Sequence, residues 1–235
     1  DIRDLAGKLS TRYAGRIVID TFFNERVTLA AISGVKAQLM QTGTDDKVVL
    51  AFSGHGLLSK QLDYYLSAYD VDFRSPEKNG LPYELMESLL DSIPARKKLM
   101  LIDACHSGEV DKESKLLRTG NQISGAKGGE VRNLSTGAAV GLKNSFDMMQ
   151  EIFVNVSRST GATVISAAAG TELALEKSEL QNGVFTYSLM EILDHSFSIR
   201  VSELRKKAGD RVMELTRGRQ QPTARSEPVL SDWEL

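Results

Sequence analysis

The fold is decided by two matching stretches of sequence, KVVLAFSGHG at residues 47–56 and KLMLIDACHSG at residues 98–108. In each stretch, a consecutive apolar run is followed at once by small and polar residues, which include His55 in the first and Cys105 in the second. Consecutive apolar residues are typical of a parallel strand that is covered on both faces. Because the functional crevice of an open parallel sheet lies at the carboxyl ends of its strands, the two stretches predict that His55 and Cys105 meet at one end of the sheet.

The remaining chain alternates short β-rich runs with longer helical patterns. Strands are predicted at residues 16–19, 47–52, 64–68, 98–102 and 162–167. Helices are predicted at residues 28–40, 82–93, 145–156, 184–193 and 201–215. Residues 109–143 are rich in Gly, Ser, Thr, Lys and Arg and poor in large apolar side chains, which predicts a long mobile loop. The pattern indicates a single α/β domain over residues 1–235 with a mostly parallel central sheet.

Length and composition restrict the classes of function. A chain of 235 residues, 41% of them hydrophobic, is long enough to bury a sizeable core. The formal net charge of -2 gives no general attraction to nucleic acid or anionic lipid, and no apolar run approaches the roughly 20 residues of a membrane span, so neither partner is expected. The single Cys cannot form an internal disulfide, which predicts a reducing, cytoplasmic location and leaves one thiol to be explained.

The chemistry is expected from Cys105 and His55. A thiol becomes a good nucleophile when a nearby His generates its thiolate, and the same His can then protonate a leaving amine. A lone Cys is usually a small buried residue. Here both residues follow apolar strands and have small neighbours, which let a substrate backbone approach closely. His106 adjoins Cys105 on the same backbone and is predicted to point elsewhere, and His195 is predicted to be a surface residue.

The two motifs make the sequence resemble the caspase-like cysteine peptidases of the peptidase C14 family, including metacaspases, orthocaspases and other prokaryotic members. The matching residues are SGHG at 53–56 and DACHSG at 103–108, with His55 lying 50 residues before Cys105. Three further segments resemble bacterial members, namely ISAAAGTE at 165–172, GVFTY at 183–187 and GRQQPT at 218–223. The resemblance implies a three-layer α/β/α sandwich and a cysteine endopeptidase in which Cys105 is the nucleophile and His55 its acid–base partner.

The resemblance also implies how a substrate is held. The backbone N–H groups of Gly56 and Cys105 would stabilise the oxyanion, although Gly56 could also be a simple turn residue. Asp103 lies where metacaspase-like members have Asp and where caspases that cut after Asp have Gln. A carboxylate in a closed pocket favours Arg or Lys before the scissile bond, but Asp103 could instead be structural. Asp1 resembles a second acidic pocket residue of metacaspases.

The N-terminus departs from the family pattern. The family's first core strand normally precedes a helix that resembles residues 1–9 here. Because that strand is absent, upstream residues are expected to belong to the native protein. An upstream sensor or regulatory domain or subunit is therefore an expected partner, beside a protein or peptide substrate. Prokaryotic relatives often act in defence or programmed cell death, and the resemblance extends that expectation to this chain.

Processing is expected in the loop at residues 109–143. In caspase relatives the junction between the Cys-bearing half and the small-subunit-like half is where cleavage occurs. Arg118, Lys127 and Arg132 lie in this loop and would each suit a pocket that prefers basic residues. The alternative is an ordinary solvated loop that is never cut.

Two further alternatives concern metal binding and activity. Asp70, Asp72 and Asp111 could form an oxygen-rich calcium site similar to that of calcium-dependent metacaspases. Solvated turn carboxylates are the favoured interpretation, so no cofactor is expected to be required. The competing function is a catalytically inactive caspase-like scaffold that binds protein partners, because a fold does not guarantee activity.

Overall fold

The centre of the molecule is a mixed β-sheet, seen in a computed structural model that describes residues 1–61, 63–107, 161–167, 175, 178–226 and 232–235. The strands in these ranges are β1 (Lys47–Leu58), β2 (Tyr64–Leu66), β3 (Leu81–Pro82), β4 (Lys97–Ser107), β5 (Ala162–Ser166) and β6 (Thr223–Ser226). Their spatial order is β3-β2-β1-β4-β5-β6. The three central strands β1, β4 and β5 are parallel, whereas β2, β3 and β6 pair antiparallel with their neighbours. The predicted α/β class with a mostly parallel core is confirmed.

Helices cover both faces of the sheet. The α-helices of the described ranges are α1 (Ile2–Arg12), α2 (Leu29–Leu39), α3 (Tyr83–Leu90), α4 (Val184–Asp194) and α5 (Val201–Thr216). Residues of α1, α4 and α5 pack with Leu99 and Leu101 of β4, while α2 and α3 pack on the side of Met100 and Ile102. Successive residues of a strand face opposite sides, so the apolar run of β4 supplies both cores. This is the three-layer sandwich that the resemblance implied.

The two long central strands extend further than the sequence indicated. They were predicted to end at residues 52 and 102, but they continue through both motifs to Leu58 and Ser107. Gly and polar residues have a low propensity for strands on their own. Here the continuous parallel pairing, from Lys47 opposite Lys97 to Leu57 opposite Ser107, supplies the ladder hydrogen bonds that keep both motifs extended. The motifs are therefore parts of paired strands and not loops that follow them.

The strand predicted at residues 16–19 is wrong. Residues 17–23 have no regular secondary structure, and the side chain of Val18 is 93% exposed. A β-rich run becomes a strand only when a neighbouring strand pairs with its backbone groups, and within the described ranges the sheet has no pairing with residues 16–19.

The sequence prediction also missed β6, because the tail after Arg217 reads as polar. The buried side chain of Gln220 holds this segment in place. Its Nε2 donates to the carbonyl of Ala167 over 2.7 Å, and its Oε1 accepts the backbone N–H of Leu175 over 2.9 Å. The chain is thereby fixed beside β5 before β6 begins, so a polar residue supplies the anchoring that the apolar pattern did not show.

Most predicted helices are confirmed with small shifts in their ends. Helix α2 begins after Thr28, whose side chain accepts the backbone N–H of Ala31, and α3 begins after Pro82. The helices α4 and α5 match their predicted ranges to within a residue. The predicted loop at residues 109–143 and the predicted helix at residues 145–156 lie outside the described residues. Among the helices that are described, none has the length and apolar character required to cross a bilayer.

Candidate active site

Register between β1 and β4 brings the two motifs together. His55 is the Cα partner of Cys105, and Ser53 is the Cα partner of Asp103 two positions earlier. Adjacent strands of a sheet lie about 4.8 Å apart. The sheet therefore makes the predicted catalytic residues immediate neighbours, although they are 50 residues apart in sequence.

His55 is half-buried, and its backbone is held by Ser67, the residue that follows β2. The N–H of His55 donates to Ser67 Oγ over 3.0 Å, and its carbonyl accepts the N–H of Ser67 over 2.8 Å. Gly54 keeps this approach close, because a Cβ at that position would lie 2.8 Å from Phe52 Cζ and 3.0 Å from Ser67 Oγ. The packing of Phe52 and Ser67 therefore requires a glycine at this position of the motif.

The imidazole of His55 also contacts an aromatic ring. The ring centroids of His55 and Phe73 are 5.8 Å apart, with an interplanar angle of 68°. Such an edge-to-face arrangement is the favoured geometry for aromatic pairs. Phe73 lies in the segment between β2 and β3, so that segment forms one wall beside the imidazole.

Asp103 lies in β4, two positions before Cys105, and is only 3% exposed. Its Oδ2 accepts the backbone N–H of Thr186 over 3.3 Å and also accepts the hydroxyl of Thr186. Thr186 is in the first turn of α4, where backbone N–H groups lack partners within the helix. The carboxylate therefore binds at the positive end of the α4 dipole.

Asp1 reaches the same helix end from the start of α1. Its Oδ1 accepts the N–H of Gly183, the N-cap residue of α4, over 2.7 Å, and its Oδ2 accepts the hydroxyl of Ser53 over 2.8 Å. Ser53 is in turn the register partner of Asp103. The two acidic residues that the sequence suggested for one pocket are thus gathered at the N-terminus of α4.

Comparison with known protein families identifies the family of this chain. The family model described as the caspase domain of peptidase C14 matches residues 18–232, which is most of the chain. The chain belongs to the caspase domain family. Members of this family are cysteine peptidases. A comparison with curated proteins gives no match.

Solved structures agree with the fold of this caspase-family chain. The crystal structure of a protein from Geobacter sulfurreducens is similar, with a TM-score of 0.62 at 18% sequence identity. The similarity covers 98% of this chain and 85% of the other. At this level of identity the likeness supports the fold alone.

The other predicted site residues of this caspase domain are placed as follows. Gly56 is buried within β1, and its register partners are His106 of β4 and Leu66 of β2. Its role as an oxyanion donor, with Cys105, stays a prediction. His195 is exposed at the C-terminal end of α4, so its assignment as a surface residue is confirmed.

The residues considered for calcium are only partly described. The Oδ1 of Asp72 accepts the N–H of Arg74 over 2.9 Å, and its Oδ2 lies 3.9 Å from Lys78 Nζ. The backbone carbonyl of Asp70 accepts the side-chain amide of Asn79. In the ranges that the structure describes, no group of three or more acidic, His or Cys side chains is placed to hold a metal ion. Asp111 lies outside these ranges, as do Arg118, Lys127 and Arg132.

Sequence reasoning did not identify Ser67, Phe73 and Thr186 as residues of this region. Ser67 was part of a predicted strand, and Thr186 was part of a predicted helix. Each contacts His55 or Asp103 only because the sheet and α4 bring distant segments together. The one sequence signal was GVFTY at residues 183–187, whose resemblance to bacterial family members included Thr186 without indicating its partner.

Proposed function

We propose that the chain is a cysteine endopeptidase in which His55 and Cys105 form the catalytic dyad. The observation that carries this proposal is their register pairing on β1 and β4 in a chain of the caspase domain family. Both residue types are those that acyl transfer requires, a thiol nucleophile and an imidazole that moves its proton.

The proposed reaction proceeds by acyl transfer in two steps. His55 takes the thiol proton of Cys105, the sulfur attacks the substrate carbonyl, and the protonated imidazole gives its proton to the leaving amine. A thioester remains on Cys105. Water then attacks the thioester with His55 as the base, which releases the acid product and returns the thiol. Neither step consumes a cofactor.

The proposed oxyanion donors are the backbone N–H groups of Gly56 and Cys105. Negative charge develops on the carbonyl oxygen during both steps, and fixed backbone donors stabilise it without reorganisation. The burial of Gly56 and its position one residue after His55 support the assignment, because both donors would belong to the paired ends of β1 and β4.

We propose that the pocket before the scissile bond prefers Arg or Lys. Asp103 and Asp1 gather their carboxylates at one helix end, where they create negative charge in a largely buried setting. A basic side chain is favoured near such charge, and an acidic one is repelled. The contacts with Thr186 and Gly183 also give both residues a structural part, so the two roles must be separated by experiment.

Covalent labelling tests the proposed function directly. An arginine-containing peptide electrophile should label the wild-type protein, and Cys105→Ala should abolish the labelling. A folded wild-type protein that is not labelled, and that cleaves no member of a peptide library, would instead indicate the inactive scaffold.

We further propose self-cleavage after Arg118, Lys127 or Arg132. These residues match the proposed basic preference and lie between the segments that form β4 and β5. Because those strands pair in one sheet, the two products should remain associated after the cut. Intact-mass measurement of wild type and Cys105→Ala checks this. Full-length mass in both, or identical cuts in both, would reject self-processing.

A further inference from the structure

An exposed aromatic side chain lies directly beside the proposed catalytic imidazole. The Phe73 ring meets His55 edge to face at 5.8 Å, yet the side chain of Phe73 is 57% exposed. Most large apolar side chains of the described residues are buried in the two cores. Single exposed apolar side chains are ordinary on protein surfaces, so it is the ring contact with the proposed catalytic imidazole that singles out Phe73.

The segment that carries Phe73 is held in shape by its own hydrogen bonds. The N–H of Tyr69 donates to the carbonyl of Val27, which ties the segment to the rest of the fold. Asp72 accepts the N–H of Arg74 through its side chain and the N–H of Ser75 through its carbonyl. Phe73 lies between these bonded residues. The backbone that carries the ring is therefore held in place, and the ring contacts His55 without any bound substrate.

The reaction proposed above determines which part of a substrate meets this ring. His55 gives its proton to the leaving amine, and that nitrogen belongs to the residue directly after the scissile bond, called P1′. The P1′ side chain starts one atom away from this nitrogen. Because the Phe73 ring contacts the same imidazole, it lies within reach of that side chain.

We propose that Phe73 forms an apolar S1′ subsite, which selects peptide substrates with a large apolar or aromatic residue directly after the scissile bond. The inference rests on the proposed function and adds a second determinant to it, independent of the acidic pocket. Bound P1′ side chains cover the exposed part of the ring, so apolar P1′ residues gain contact area that Gly does not.

The test compares peptides with Arg before the scissile bond that differ only at P1′, with Leu, Phe, Ser or Gly. Wild type should prefer Leu and Phe over Gly in kcat/KM by roughly three- to tenfold, the range of an aromatic contact. Phe73→Ala should remove this preference, and Phe73→Leu should keep most of it. Tyr69→Ala is the matched control, because Tyr69 is an aromatic residue of the same segment that is also largely exposed, at 66%, and its substitution should leave the preference unchanged.

A peptidyl-arginine methyl ester separates this role from a role in orienting His55, since its leaving group has no P1′ side chain. Phe73→Ala should lower kcat/KM for the Leu and Phe peptides by several-fold more than it lowers kcat/KM for the ester. Equal slowing of ester and peptides would overturn the subsite and assign Phe73 to the positioning of His55. Cleavage by wild type without preference at P1′ would overturn the subsite alone. A wild-type protein that neither cleaves any peptide nor hydrolyses the ester would overturn the proposed function as well.

Discussion

The N-termini of α4 and α5 are capped in the same way. In the described part of the chain, the N-cap residues Gly183 and Arg200 supply no side-chain cap of their own. A carboxylate from a distant segment takes that place in each case. Asp103 accepts from Thr186 in α4, and Asp232 accepts from Ser202 in α5.

The two caps differ in burial and in their neighbours. Asp103 is almost fully buried and adjoins the strand positions of His55 and Cys105, whereas Asp232 is exposed in the C-terminal segment. A carboxylate at a helix N-terminus is therefore ordinary structural chemistry in this chain. The N-terminus of α4 differs from that of α5 because its capping residue, Asp103, belongs to the motif that contains Cys105. Asp232 thus supplies an internal control for every prediction about Asp103.

The largest expected effect concerns the dyad itself. Cys105→Ala and His55→Ala should each lower peptide turnover by at least about a hundredfold, because each removes a group that moves the reacting proton or forms the thioester. Asp232→Asn should leave turnover unchanged. Steady-state kinetics with circular dichroism as a folding check decides this. Wild-type turnover in folded Cys105→Ala would show that the reaction does not depend on this thiol.

The next effect separates the two possible roles of Asp103. Asp103→Asn removes the negative charge but keeps an oxygen that can accept from Thr186, so it should lower kcat/KM for Arg before the scissile bond by about tenfold or more. Asp103→Ala should erase the basic preference and also lower the stability by about 1–3 kcal/mol, because Thr186 loses its buried acceptor.

The control for this experiment is Asp232→Asn, which removes a capping carboxylate far from the motifs in sequence. Its cleavage profile should match that of wild type. If Asp103→Asn keeps full preference for Arg or Lys, then Asp103 is a helix cap only. The caps of α4 and α5 would then differ in their burial but not in their function.

A third prediction compares the hydroxyl donors of the two caps. Thr186→Val removes a donor from a buried carboxylate and should lower the stability by about 1.5–3 kcal/mol. Ser202→Ala removes the equivalent donor at an exposed site and should cost under about 1 kcal/mol. For a domain of this size, the midpoint of thermal unfolding should fall by about 3–12 °C in the first variant and by about 4 °C or less in the second. Equal shifts would contradict the difference in burial.

A contrast between three apolar runs shows which strands could be predicted from the sequence. The runs before His55 and Cys105 predicted buried parallel strands correctly, because a parallel strand that is covered on both faces needs apolar residues at consecutive positions. The run at residues 16–19 has similar propensity but no described partner strand, so it failed as a prediction. Pairing is a property of the whole fold, which local propensity does not contain.

The candidate site could be predicted from the sequence only where a short motif indicates a residue's chemistry. The motifs predicted His55 and Cys105 as catalytic residues, and this stays a prediction, whereas Phe73 and Thr186 join the region only through contacts between distant segments. The contact of Asp103 with α4 was also hidden, because nothing in the sequence links this residue with Thr186, which lies 83 positions later.

The smallest effect concerns the pH dependence of the exposed cap. The hydrogen bond from the Ser202 hydroxyl lowers the pKa of Asp232 below its ordinary 3.8, and the Ser202 N–H acts in the same direction. A carboxyl whose pKa is lowered by folding stabilises the fold above its unfolded pKa, and this contribution is lost as the pH falls through the folded value. Because the site is exposed and screened by solvent, Asp232→Asn should reduce the midpoint of thermal unfolding by only about 1 °C near neutral pH. The difference from wild type should stay constant down to about pH 5 and should shrink below 3.8.

Titration of the Asp232 carboxyl by NMR provides a direct check, since its midpoint should lie below the ordinary value in wild type and should rise in Ser202→Ala. If Ser202→Ala leaves the titration midpoint of Asp232 unchanged, the hydroxyl does not stabilise the charged carboxylate. The hydrogen bond from the Ser202 hydroxyl would then contribute nothing measurable to stability.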